Sequence, residues 1–231
     1  MCRQLLRPEI RRRVSAKCSS TAEEQFSDSV KFGVELFSED LDSLGPETRS
    51  VADWAVDNVL HDWIDRERTF TPREALAALP SGYDFLASSP TFGADSRWFK
   101  QVTKKSPKSM TLFVDALDKN IPALLDYRVD IGTKMGDPDE AMAILSKLFE
   151  LRDKIIAADD YSHLSEFLDA LQFLSELLPQ ESEETRHAIQ EFADPSKGIN
   201  GFVKGGPRPQ WPSFAKWWGR ATIYVSVWRL P

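Results

Sequence analysis

Residues 137–178 read DPDEAMAILSKLFELRDKIIAADDYSHLSEFLDALQFLSELL, and this stretch decides the fold class. Asp137, Pro138 and Glu140 supply a cap, a first-turn proline and an acid two positions further on, which is how a helix begins. The apolar spacing predicts a helix from there to about Ala158, with Met142, Leu145, Leu148, Phe149, Ile155 and Ile156 facing inward. A break at Asp159–Ser162 precedes a second helix over His163–Leu178, whose stripe is Leu164, Phe167, Leu168, Leu171, Leu174 and Leu178. Two amphipathic helices joined by so short a link are expected to pack antiparallel as an αα-hairpin, with Pro179 stopping the second.

Working outward, the same grammar recurs. Thr21 with Glu24 forms a capping box before Phe26, Val30, Val34 and Phe37. After the Gly45-Pro46 break, Glu47–Arg68 reads as one long helix with Ala52, Ala55, Val56, Val59, Leu60, Trp63 and Ile64 on its apolar face. Short or medium helices follow at Pro72–Leu79, Arg97–Lys105, Pro107–Lys119, Asn120–Lys134 and Ser182–Phe192. Residues 80–107 are the least regular part, punctuated by Pro80, Gly82, Pro90, Gly93 and Pro107. The expected fold is all-α, an irregular bundle of about seven or eight helices with a basic C-terminal extension rich in Trp, Gly and Pro.

Charge divides the chain in three. Residues 1–20 hold six basic side chains against Glu9, and residues 194–231 hold six against Asp194, so each end carries +5. The chain as a whole is −7, which leaves −17 on residues 21–193. The expected organisation is therefore a basic segment 1–20, an acidic helical domain 21–193 and a basic aromatic tail 194–231. An acidic body repels phosphate, so contact with nucleic acid or anionic lipid would fall to the ends. Only Cys2 and Cys18 are present, which excludes a disulfide framework and a four-cysteine zinc site. The longest apolar run, Ala221–Trp228, is eight residues, too short to span a bilayer, and the chain reads as soluble or peripheral.

In the first segment Leu6, Ile10, Val14 and Cys18 repeat every fourth residue beside Arg3, Arg7 and Arg11, and Ser15, Ser19 and Ser20 follow. This pattern resembles organellar transit peptides as a class, although Glu9 and Pro8 depart from it. It gives the expected location as mitochondrion or plastid, with the cytoplasm as the alternative. The opposite reading is a solvated basic arm.

Catalytic chemistry leaves little trace. Gly-x-Ser-x-Gly, phosphate-loop, dinucleotide-glycine and His-Glu-x-x-His signatures are absent, and the chain has three histidines. Asp53, Asp57, His61 and Asp65 recur at four-residue steps, and Asp160 with His163 and Glu184 with His187 are spaced like carboxylate–histidine metal pairs. One helix rarely completes a metal site, and charged residues on an exposed helix face are the ordinary explanation. No catalytic residue, metal ligand or cofactor is assigned.

The tail is the candidate functional segment. It holds four of the seven tryptophans, five of the eleven glycines and five of the fourteen prolines. Trp211, Phe214, Lys216, Trp217, Trp218, Arg220 and Trp228 are the candidate binding residues, aromatics interleaved with basic groups. Such a set fits a protein interface, where Trp and Arg dominate the binding energy. It also fits stacking on nucleic acid or seating at a membrane surface, or folding of the +5 tail onto the acidic body of its own chain. Thr222–Leu230 alternates like a strand, with Ile223, Val225 and Val227 on one side, and its unpaired backbone groups are expected to be met by another chain, by the loop at 80–107, or by nothing if the tail is disordered. The expectation is a non-catalytic interaction or scaffold protein, an accessory subunit of an organellar complex that docks through its tail onto a protein partner. One alternative is a small-ligand-binding protein or enzyme with a pocket under residues 80–107, lined by Phe85, Phe92, Trp98 and Phe99. The other is tail-mediated binding of nucleic acid or an anionic membrane.

Overall fold

The computed structural model describes residues 2–16, 21–43, 49–61, 72–89, 137–209, 211–215 and 224–229. They are mostly helical, with one two-stranded sheet. In chain order they form a 3-10 turn Cys2–Leu6, α1 Arg7–Ser15, α2 Ala22–Asp42, α3 Val51–Ala55, a π-helical turn Val56–Leu60, α4 Pro72–Ala77 and β1 Tyr83–Ser89. Then come α5 Pro138–Ala158, α6 Leu164–Glu176, a 3-10 turn Gln180–Ser182, α7 Glu183–Ala193, α8 Ile199–Val203, α9 Pro212–Ala215 and β2 Tyr224–Arg229. The helices expected at 97–105, 107–119 and 120–134 lie outside the described residues.

The chain forms two compact units. The first comprises Met1–Asp65, Met142–Glu176 and Glu184–Arg220; the second comprises Arg66–Ala141, Leu177–Glu183 and Ala221–Pro231.

In the first unit, local signals set the helix starts. Glu24 N–H donates to Thr21 Oγ1 at 3.3 Å and Thr21 N–H to Glu24 Oε2 at 2.8 Å, so α2 opens with a complete capping box. Helix α3 starts at Val51, later than the Gly45-Pro46 break implies, and Ser50 caps it, its Oγ accepting the Asp53 N–H at 3.1 Å. The expected long helix 47–68 does not run through. Its middle widens into the π turn, closed by His61 N–H on Val56 O at 2.9 Å, and His61 is extended (φ −71°, ψ 139°). Asn58 Nδ2 donates to Trp54 O at 2.9 Å, and a side chain on a helical carbonyl is a recognised cause of such a distortion. Residues 62–68 lie outside the described set.

Packing in this unit begins with α1 on α2, α2 on α3, and the N-terminal 3-10 turn on the π turn. Gly33 permits the second contact: a Cβ there would lie 3.2 Å from Ala55 Cβ. Phe37 meets Trp54 edge to face, ring centroids 5.1 Å apart. Leu148, Leu151, Ile155, Phe167 and Phe192 fill the core with Leu5, Leu6 and Ile10.

The inward face of α5 agrees with the expected one at Leu148 and Ile155 and differs elsewhere. Ala141, Ile144, Leu148, Leu151, Arg152 and Ile155 are buried, and Met142 is exposed. Apolar residues surround most of this helix, so its periodicity alone does not choose a face. The stripe of α6 is as expected, with Leu164, Phe167, Leu168, Leu171 and Leu174 buried. Lys147 Nζ on α5 reaches Glu166 Oε1 on α6 at 3.1 Å.

In the second unit, β1 pairs antiparallel with β2, in the register Tyr83↔Arg229, Asp84↔Trp228, Phe85↔Val227, Ala87↔Ser226, Ser88↔Val225 and Ser89↔Tyr224. A bulge between Phe85 and Ala87 leaves Leu86 as the extra residue. Part of the segment read as irregular is thus a strand, and of the partners expected for the C-terminal strand it is the 80–107 segment that supplies one. The period-2 pattern of 83–89 is broken by the bulge and hidden between Gly82 and Pro90.

Candidate functional site: the C-terminal segment

Residues 194–215 belong to the first unit. Asp194 begins this stretch as a turn organiser, its Oδ1 accepting from Ser196 N–H at 2.9 Å, Lys197 N–H at 2.7 Å and Ser196 Oγ at 2.9 Å. These hydrogen bonds hold its carboxyl below the usual carboxylate range. Helix α8 follows, with Ile199 and Phe202 buried. At Gly206 the backbone folds so closely that a Cβ would lie 2.5 Å from Gly201 O, so the glycine richness of this stretch reflects close backbone approach.

Arg208 then crosses to α2. Its Nε donates to Leu36 O at 2.7 Å and its Nη2 to Asp40 Oδ1 at 2.7 Å, while Nη1 meets Glu39. A fork bonded to a carbonyl and two carboxylates is more specific than a surface ion pair. Trp211 stacks on Phe192 of α7 at 5.2 Å, and Phe214 stacks on the same ring at 4.5 Å. Phe214 N–H donates to Glu191 Oε2 at 2.9 Å, which anchors α9 to α7. Trp211 is 2 % exposed and Phe214 8 %. Two of the seven candidate residues therefore lie in the core of the first unit.

Trp228 lies on β2 in the second unit and is 47 % exposed. Residues directly opposite each other in an antiparallel pair share a face. Trp228 thus shares its face with Asp84, and Tyr83 shares the other face with Arg229. Asp84 is buried, whereas Tyr83 is 38 % exposed and Leu86 44 %. The ribbon presents an aromatic side chain on each face. Tyr83 and Leu86 escaped the sequence reading because nothing local marked their segment as a strand. Lys216, Trp217, Trp218 and Arg220 lie outside the described residues.

At the other end of the chain Arg3, Arg7 and Arg13 are built into the first unit. Arg3 lies over the Trp54 ring at 5.6 Å. Glu9 is fully buried and accepts from Arg12 Nε at 2.7 Å, Arg12 Nη2 at 2.6 Å and Arg13 Nε at 2.6 Å. Burial, the largest cause, pulls both Arg3 and Arg7 down to about 10, so both remain charged at neutral pH.

The acidic and histidine spacings bring no metal site together among the described residues. Asp53 is bonded to Ser50 and Asp57 is paired with Arg49 at 2.6 Å, while the helix break takes His61 off their stripe; Asp65 lies outside the described residues. Asp160 Oδ1 accepts from Ser162 at the start of α6. Of the aromatics expected under the 80–107 loop, Phe92, Trp98 and Phe99 lie outside the described residues, and Phe85 is a β1 position. Among the described residues no helix is long and apolar enough to cross a membrane.

The fold and site define a mostly helical protein with a two-stranded aromatic ribbon. No protein-family model matches the chain, and no curated protein or solved structure matches it either.

Proposed function

We propose that this is a non-catalytic interaction protein, an accessory subunit of a larger assembly, which docks through its C-terminal segment onto a protein partner. One observation carries the reading: Trp228 and Arg229 stand exposed at the end of a strand that is held in place by backbone pairing to β1. A two-stranded ribbon is marginal by itself and gains from being packed on further surface. Exposed tryptophan and arginine are the residue types that anchor interfaces. With Tyr83 on the opposite face, the ribbon fits a cleft in a partner better than a flat surface, and Arg229 asks for an acidic rim to that cleft. The amphipathic, Arg-rich start of the chain supports a mitochondrial or plastid setting, with the cytoplasm as the alternative.

The test is affinity purification from the native cells of full-length protein beside Trp228→Ala, Tyr83→Ala and Arg229→Glu. A defined set of proteins retained by the parent and lost from all three supports docking by the ribbon. Recovery of RNA, DNA or lipid instead, lost steeply with added salt, replaces the protein partner with an anionic one. An unchanged set across the variants, or no companion at all, ends the reading.

A further inference from the structure

We infer that the N-terminal segment Cys2–Ser15 is a strap that completes the first unit and ties the stretch after Asp194 to the α5–α6 corner, and that it stays with the folded protein rather than being removed. Three separate groups of contacts carry this. Leu5, Leu6 and Ile10 are fully buried, so the apolar stripe of the segment faces protein and not a receptor or a lipid surface. Tyr161, between α5 and α6, donates its hydroxyl to Leu5 O at 2.8 Å and accepts the Glu9 N–H at 3.0 Å, which spans the join between the 3-10 turn and α1. Arg152, 1 % exposed on α5, donates Nη1 to Gln4 Oε1 at 2.9 Å.

Arg13 makes the tie to the other end of the sequence. Its Nη2 donates to Phe202 O at 2.7 Å and Gly206 O at 2.8 Å, and its guanidinium lies over the Phe202 ring at 4.2 Å. Buried Glu9 holds the same guanidinium from behind through Nε, so the fork is aimed by one residue of α1 and used by the next turn. Loss of the strap would remove these partners from the buried Arg152 guanidinium, the half-buried Tyr161 hydroxyl and the carbonyls of Phe202 and Gly206, and lost hydrogen bonds at poorly solvated groups are costly. Arg13 and the buried Arg3 and Arg7 therefore serve the fold. An address written in it would have to be read before folding, and without its removal.

The experiment replaces residues 17–20 with a site-specific protease sequence and cuts the folded, full-length protein. The strap predicts that fragment 1–16 co-elutes with the remainder on gel filtration and that the melting temperature falls by no more than a few degrees. It further predicts that a chain beginning at Thr21 is less helical or insoluble, and that synthetic peptide 1–16 restores it. Release of the fragment with the remainder keeping its helicity and melting temperature overturns the inference. So does a native protein whose measured mass starts at or beyond Lys17. Point variants guard against a general loss of folding: Arg13→Ala is expected to lower the melting temperature several-fold more than Arg12→Ala, whose side chain is largely exposed. Equal effects also overturn it.

Discussion

At the residue scale, Tyr161 shows how one half-buried hydroxyl can couple distant parts of a sequence. It is tied to Leu5 and Glu9, more than 150 positions away. Tyr161→Phe keeps the ring but strands Leu5 O and the Glu9 N–H, which is expected to cost about 1–3 kcal/mol in denaturant unfolding. Burial, the largest cause, pushes the phenol well above its ordinary value of 10.0, while the bond from Glu9 N–H pulls the other way. Because the folded value is raised, this contribution to stability is fully present below the unfolded value and is lost as pH rises through the range above it. Melting curves should therefore fall above about pH 10 in the parent protein and fall less in Tyr161→Phe. A parent curve no steeper than the variant's would show that the hydroxyl is not engaged.

At the element scale, the starts of α2 and α5 and the inward face of α6 were legible, whereas the inward face of α5 and the limits of α3 were not. Thr21 with Glu24 and Asp137 with Pro138 are short-range signals, satisfied inside four residues, and α2 and α5 begin where they say. The π turn at Val56–Leu60 coincides with a side-chain bond of Asn58 to Trp54 O, and the apolar period of the same stretch conceals it. Close approach of α2 and α3 depends on Gly33, a residue that by propensity alone weakens a helix. Gly33→Leu is expected to destabilise the protein by about 1–3 kcal/mol, because the added side chain must displace Ala55. Gly33→Ala should cost much less, since the gain of about 1 kcal/mol in helix propensity offsets a contact only slightly too close. Urea denaturation of the pair checks the ordering.

At the scale of the whole molecule, the basic tail is not one object. Residues 194–215 supply Ile199, Phe202, Trp211 and Phe214 to the first unit, and 224–229 supply a strand to the second. Truncation at Asp194 should therefore lower helicity and the melting temperature sharply, whereas a chain ending after Arg220 should keep the first unit folded. Circular dichroism on the two truncations separates these outcomes. Phe192→Ala removes the ring on which both Trp211 and Phe214 stack, and is expected to cost about 3–5 kcal/mol. A smaller loss on chemical denaturation would mean that the three rings do not act as one cluster.

The sequence by itself determined the helical class, the capped starts of α2 and α5, the buried stripe of α6 and the strand character of 224–229. Each of these is written in residues a few positions apart, where propensity and period act directly. Tertiary structure decided what those elements meet. Trp211 and Phe214 read in the sequence equally as interface anchors or as packing on their own chain, because buried and docking aromatics have the same composition. Only the position of Phe192 and Glu191 distinguishes them from Trp228. The same holds for Arg13, which reads as one of a basic run and acts as a hydrogen-bond fork on carbonyls nearly two hundred residues away. A pairing over that separation leaves no local signature, since it depends on where two backbones come to lie and not on the residues beside them.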